Sequence, residues 1–197
     1  MFGIFKILRL TQGFLVLSRE KDLIPENLIR SLPAPIKIFL KVIPSNKKSN
    51  LSESLQKLGP TWIKMGQFLS TRPDIIGNKL SIHLRGLQDS LPPFDKKHVE
   101  QAFIESFGED YKKKFKKIDE PIAAASIAQV HKAIIKSDGK SQTVAVKILR
   151  PNIEGKIKKD LNDFYLAAKI LEKFSSEARR LRVLEVVKTL EESLSME

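Results

Sequence analysis

The stretch HKAIIKSDGKSQTVAVKIL, residues 131–149, decides the fold. Its flanks, HKAIIK and TVAVKIL, are rich in β-branched residues, and the segment between them carries Asp138-Gly139, a hairpin turn signal. Two antiparallel strands are therefore expected here, with helical patterns on either side. Upstream, Pro25, Pro33, Pro35 and Pro44 punctuate short helices over residues 1–50, and SNKKSN (45–50) reads as a linker. A helix starts near Leu51, breaks at Gly59-Pro60, resumes as TWIKMGQFLS and stops before Arg72-Pro73-Asp74. Further helices are expected over 77–88 and 95–107, the second capped by Asp95. Downstream, Ile157, Leu161, Phe164, Ala168 and Leu171 form one helical stripe, and Val183, Val187, Leu190 and Leu194 form another. Helices, a small antiparallel sheet and more helices make an α+β fold.

The chain has 197 residues, 42% of them hydrophobic and 29% charged, enough for one good domain or two small ones. Cysteine is absent, which excludes a disulfide framework and a cysteine-ligated metal site. The formal net charge of +12, from 35 basic and 23 acidic residues, admits nucleic acid, an anionic membrane surface or a phosphorylated ligand. Against nucleic acid, only Tyr111 and Phe115 flank the densest basic run, YKKKFKK, which reads as a solvated helix face. No span reaches the roughly 18 uninterrupted apolar residues of a membrane helix. The N-terminal MFGIFKILRLTQGFLVL is broken by Lys6 and Arg9 and lacks a small-residue cleavage site, so secretion is not expected. Two readings of it stand: a membrane-interface segment whose basic residues reach lipid phosphates, or a helix packed on its own domain.

Chemistry concentrates in three places. In TVAVKIL, alternation puts Val144, Val146 and Ile148 on one face and Ala145, Lys147 and Leu149 on the other. A lysine on such a face calls for a carboxylate or a phosphate, unless it snorkels to water from an edge strand. Continuing the last apolar stripe three residues beyond Leu194 reaches Glu197, a candidate partner for Lys147, with Glu191 and Glu192 as competitors on a more solvated face. Second, Ala123, Ala124, Ala125 and Ser126 are small enough for their backbone N–H groups to approach a phosphate, although alanine resists the positive φ that glycine permits. The alternative is a tight packing contact. Third, Lys64 and Gln67 share one face of the KMGQ helix, while Leu58, Trp62, Met65 and Leu69 form its apolar stripe. Gly66 within that helix costs about 0.5–1 kcal/mol relative to alanine and invites a reason such as close backbone approach. His83, His98 and His131 lack metal-ligand spacing, and no Walker loop or nucleophile elbow is present.

Together, LGPTWIKMGQFLSTRPD, LQDSLPPF, AAASIAQVHKA, VAVKILRP and RRLRVLEVV resemble the UbiB family of atypical, protein-kinase-like proteins. The resemblance implies a kinase-like N-lobe, a small antiparallel sheet plus helices, preceded by a helical KxGQ extension and with the C-lobe absent. It implies three regions: a possible membrane-associating segment over 1–50, the KxGQ extension over 51–118, and the truncated N-lobe over 119–197. It makes Ile122, Ala123, Ala124, Ala125, Ser126, Ile127, Ala128, Gln129 and Val130 an alanine-rich nucleotide loop, Lys147 the phosphate-contacting lysine and Glu197 its partner. Lys64, Gly66 and Gln67 become the KxGQ motif facing the nucleotide.

The cofactor implied is ATP, with Mg2+ in the complete family protein, whose metal ligands this chain does not carry. No catalytic residue and no metal ligand is expected here, because the family's aspartates and asparagine follow in a second lobe. The chain alone is thus expected to be inactive: the N-terminal part of a UbiB-type ATPase or kinase supporting ubiquinone biosynthesis. The other reading is a non-catalytic regulatory module, left from a truncated or split gene, that binds membrane or partners. Implied partners are a polypeptide supplying the missing lobe, ubiquinone-biosynthesis proteins and an anionic membrane surface. The implied location is cytoplasmic, or peripheral on the cytoplasmic face of the inner membrane.

Overall fold

The computed structural model describes residues 13, 15–16, 18–45, 50–87, 91–137 and 140–196. The turn Asp138-Gly139, most of the SNKKSN segment, the first twelve residues and Glu197 lie outside these. The chain divides into two compact units, one of Met1–Gln88 with Lys156–Glu197 and one of Asp89–Gly155. This division does not follow the boundaries after residues 50 and 118, and packing explains why. Val99 and Phe103 of the helix Lys96–Phe107 share a core with Tyr111, Phe115, Ala133 and Ile148, so that helix belongs with the sheet.

The first unit is helical. Leu51–Leu58 is capped by Asn50, whose side chain accepts from the Ser52 N–H at 3.1 Å. Gly59, at φ +114°, ends that helix and begins the next, Pro60–Ser70, with Pro60 in the first turn where its missing N–H costs nothing. Short helices Pro73–Ile76 and Asn78–Leu84 follow. The two C-terminal stripes form as the sequence predicts, and they pack on each other: Leu161, Phe164 and Ala168 of Ile153–Phe174 bury against Val187, Leu190 and Leu194 of Val183–Ser195. Each of these leucine, valine and phenylalanine burials contributes about 1.5–3 kcal/mol. Trp62, Met65 and Phe68 close this cluster, Trp62 meeting Phe164 edge-on at 4.8 Å.

Residues before 50 are part of this unit. The Lys21 ammonium donates to the Leu40 and Ile43 carbonyls at 2.8 and 2.6 Å, which satisfies the C-terminus of Ala34–Val42. Ser175, buried, donates to Ser31 at 2.9 Å and caps Ser176–Arg180 through the Ala178 N–H. The last helix begins after Arg182, held at φ +51°, and its Leu184 N–H donates to the Glu172 carboxylate at 2.9 Å.

The second unit holds a three-stranded antiparallel sheet in the order β1 (Phe115–Ala124), β2 (Ala128–Ser137), β3 (Lys140–Leu149). β2 and β3 pair without interruption from Ala128↔Leu149 to Ser137↔Lys140. β1 is a strand the sequence does not announce. The run YKKKFKK, expected as a solvated helix face, is divided between the helical turn Tyr111–Lys114 and the start of β1. Its lysines are exposed, but Tyr111 and Phe115 are buried and pack on Phe103 at 5.3 and 4.9 Å between ring centroids. Pro121 lies in β1 because an edge strand loses no ladder bond to it, and the pairing shifts register at three places along the strand. β3, the other edge, has no such interruption.

Candidate nucleotide site

Alternation along β3 sorts its side chains as predicted. Val144, Val146 and Ile148 face the core under the helix Lys96–Phe107, while Ala145, Lys147 and Leu149 stand on the exposed face. Cross-strand pairing sets Ala123, Val130 and Lys147 in one row over all three strands. With Ala145 and Leu149 beside it, this row makes a shallow surface that carries the Lys147 ammonium, with exposed Lys132 on the same face opposite Ala145. Small side chains at 123 and 145 leave the backbone plane open, so a flat ring has room to lie against the sheet. A cavity of about 710 Å³ borders Lys147, lined by residues of Lys96–Phe107 and by the segment from Val146 to Gly155.

The alanine stretch is mostly strand. Ile122, Ala123 and Ala124 end β1, and Ala128, Gln129 and Val130 begin β2. Only Ala125, Ser126 and Ile127 form the connecting loop. The Ala125 N–H donates to the Ala128 carbonyl at 2.7 Å, and the Arg150 N–H donates to the Ile127 carbonyl at 2.9 Å. Ser126 and Ile127 are buried, so the Ser126 hydroxyl lies inside the loop. Ile122 is 65% exposed and stands at the loop's outer flank.

Arg150 holds this loop in place. Its Nε and Nη2 donate to the Ala125 carbonyl at 3.2 and 3.0 Å, and Nη2 also donates to the Pro92 carbonyl at 3.0 Å. The guanidinium lies 5.6 Å from the Phe94 ring centroid. Burial lowers its pKa from the ordinary guanidinium value. A planar fork suits two carbonyls better than an ammonium does. Below the loop, the Gln129 amide oxygen accepts from the Phe94 N–H at 3.0 Å. Gln129 Nε2 then donates to His131 Nε2 at 2.9 Å, and His131 Nδ1 donates to the Asp119 carbonyl at 2.8 Å. This chain of donors fixes the histidine as the Nδ1–H tautomer and makes it a structural residue.

The family model of the ABC1 atypical kinase-like domain matches residues 86–197. The chain belongs to this family. It is 38% identical over 168 residues to a probable protein kinase UbiB of Marinobacter nauticus, covering 81% of this chain and 30% of that protein. It is 44% identical over 144 residues to the probable protein kinase UbiB of a Shewanella species, covering 70% and 25%. With that of Pseudomonas paraeruginosa it shares 40% over 147 residues, covering 74% and 27%. The chain thus spans about a quarter to three-tenths of the length of these relatives.

The KxGQ residues of this ABC1-family chain lie in the helical unit, on Pro60–Ser70. The helix packs on two sides rather than one. Ile63 and Gly66 are buried, while Trp62 and Met65 meet the C-terminal helices. Gly66 has the close approach its position invites: a Cβ there would meet the Leu87 side chain and lie 3.0 Å from Leu55 Cδ1. Lys64 and Gln67 are half-buried, and Gln67 Nε2 donates to the Leu87 carbonyl at 3.4 Å. Glu191, the competitor to Glu197, accepts from the Tyr165 hydroxyl at 2.6 Å, and that bond pushes the Tyr165 pKa up to about 12.

Two residues of this surface were absent from the sequence-derived site. Ala145 is signalled by lying two before Lys147. Arg150 closes VAVKILR, but nothing local announces a contact with a carbonyl 25 residues earlier. Among the described residues, no three His, Asp or Glu side chains stand together to ligate a metal ion, and no helix is long and apolar enough to cross a membrane.

Proposed function

We propose that the exposed face of the sheet binds ATP as the nucleotide-contacting part of a UbiB-type, kinase-like protein supporting ubiquinone biosynthesis. The observation that carries this reading is the row Ala123–Val130–Lys147, flanked by Ala145 and Leu149. The adenine would lie on the apolar side chains, and the Lys147 ammonium would neutralise phosphate oxygens. The loop over residues 125–127, pinned by Arg150, would cover the phosphates as a stiffer element than a glycine loop. Bound ATP with its Mg2+ would supply the phosphoryl group. Transfer also requires carboxylates to hold the metal and position the acceptor, none of which belongs to the residues proposed here, whose role is binding.

Titration of the 197-residue chain with a fluorescent ATP analogue tests the reading. Lys147→Ala should weaken binding by about 10- to 150-fold, the loss of one charge-assisted contact of ~1.5–3 kcal/mol. Equal affinity in that variant refutes the site. Hydrolysis by the wild-type chain that Lys147→Ala abolishes refutes the need for outside carboxylates.

A second reading, peripheral binding to an anionic membrane, is favoured by the helix Ala34–Val42. Ile38 and Val42 are 63% and 77% exposed there, with Phe39, Lys37 and Lys41 alongside. It would place the protein on the cytoplasmic face of the inner membrane. Flotation with anionic vesicles, compared for wild type and Val42→Glu, should separate the two; equal recovery refutes this role for the helix.

A further inference from the structure

A second cavity lies within the sheet unit, on the core side of the sheet and so on the opposite face from Lys147. Its volume is about 300 Å³, at the lower end of the ~300–1,000 Å³ typical of small-molecule sites. Its walls include the rings of Phe94, Phe103, Tyr111 and Phe115, and β2 contributes Gln129 and His131. The cavity is therefore aromatic with a polar end.

Two hydrogen-bond donors at this cavity have capacity to spare. Tyr111 is 5% exposed and lines the cavity; among the described residues its hydroxyl makes no hydrogen bond, and the oxygen is not itself among the fully buried atoms, so it keeps an edge open to solvent. Gln129 is 1% exposed; one proton of its amide nitrogen goes to His131, and the other has no partner among the described residues. The unbonded amide proton of buried Gln129 carries a desolvation cost that an acceptor oxygen would relieve, and the Tyr111 hydroxyl offers a second donor to the same oxygen. The rim adds positive charge. Lys117 is paired with Asp119 at 2.6 Å, which leaves Lys96, Lys112 and Lys116 facing Glu100 and Glu120.

We propose that this cavity binds a small aromatic carboxylate. Its ring would lie among the phenyl groups, its oxygens would accept from Tyr111 and Gln129, and the rim lysines would offset its charge. β2 links this site to the other face, because Val130 of the nucleotide row stands between Gln129 and His131. The proposal does not rest on the nucleotide reading, since none of its residues belongs to the Ala123–Val130–Lys147 row.

NMR titration of the full 197-residue chain with 2-naphthoate, and with the neutral 2-naphthylmethanol as a comparison, provides the test. Saturable shifts of the Gln129 side-chain amide and the His131 ring are expected with the carboxylate and much weaker ones with the alcohol. Tyr111→Phe should leave the unfolding midpoint unchanged yet weaken binding about three- to tenfold, because only the ligand uses that hydroxyl. Lys116→Glu should weaken it about five- to tenfold by reversing one rim charge. Ile118→Trp, which fills the cavity, should abolish it. Non-saturating shifts, equal binding of the alcohol, or unchanged affinity in both Tyr111→Phe and Lys116→Glu would overturn the proposal. Should Ile118→Trp fail to fold, the two rim and wall variants still decide it.

Discussion

Replacing Arg150 with alanine tests whether the alanine-rich loop is held by one side chain. The substitution removes three donations, two to the Ala125 carbonyl and one to that of Pro92, together with the contact to the Phe94 ring. A hydrogen bond from a charged donor is worth ~1.5–3 kcal/mol. The three do not add, because they share one guanidinium and two acceptors, and water replaces part of what is lost at a half-exposed position. The net expectation is about 2–3 kcal/mol against the closed loop, which corresponds to about a 30- to 150-fold larger opening constant.

Amide hydrogen exchange reads this directly. The Ala125 N–H, bonded to the Ala128 carbonyl, should exchange faster by that factor, whereas amides in the β2–β3 ladder should change little. The main-chain bond from Arg150 N–H to Ile127 survives the substitution, so the loop loosens rather than unravels. Arg150→Lys should give an intermediate effect, since an ammonium reaches one carbonyl rather than two. Exchange at Ala125 within about twofold of wild type in Arg150→Ala, with the fold intact, would refute the clamp.

Three further outcomes follow from features of the helical unit. Gly66→Ala should destabilise the chain by about 1–3 kcal/mol in urea unfolding, because Leu87 and Leu55 must give way in a packed core. Glu20 is buried, and burial raises its pKa above the ordinary 4.5, offset in part by His83 and reinforced by Asp22. The unfolded chain therefore releases this proton first as pH rises, and stability falls across the window from the unfolded to the folded pKa. Glu20→Gln should accordingly raise the melting temperature at neutral pH and not below the carboxylate range. Arg182→Asn should stabilise by about 0.5–1 kcal/mol, because asparagine tolerates the left-handed φ of +51° and caps the following helix better. A lowered melting temperature would show that the Arg182 side chain contributes more than its backbone strain costs.

The readable parts of the sequence were those where local chemistry and tertiary packing agree. Gly59-Pro60 broke the helix where it was expected to, Asp95 accepts from the Lys97 N–H at 2.9 Å, and β3 alternates as its residues demand. The two C-terminal stripes met because each presents apolar groups at helical spacing. What escaped was governed by distant partners. β1 carries two lysines, an aspartate and a proline, and becomes a strand because Phe115, Ile118 and Ala123 find partners on β2. Ser126 and Gln129, nucleotide-loop residues by resemblance, have buried side chains because pleat and loop geometry turn them inward, which no local pattern announces. The KMGQ helix showed one apolar stripe on paper and has two packed sides, since Ile63 and Gly66 meet neighbours that no periodicity announces. Glu197 lies outside the described residues, so its pairing with Lys147 stays a family expectation.

The two edges of the sheet differ in a way that matters beyond binding. β1 carries a proline and three register shifts, so another chain that tried to extend the sheet there would find neither a continuous row of donors nor a straight backbone. β3 runs ten residues in unbroken register with β2 and contains no proline. Growth of the sheet is thereby one-sided. In concentrated solution, self-association would begin along β3, and a single proline there, on the side away from β2, would suppress it while leaving the core intact. The same asymmetry makes β3 the edge on which a designed strand could be grafted in known register, with Lys147 and Ala145 on one face and Val146 on the other.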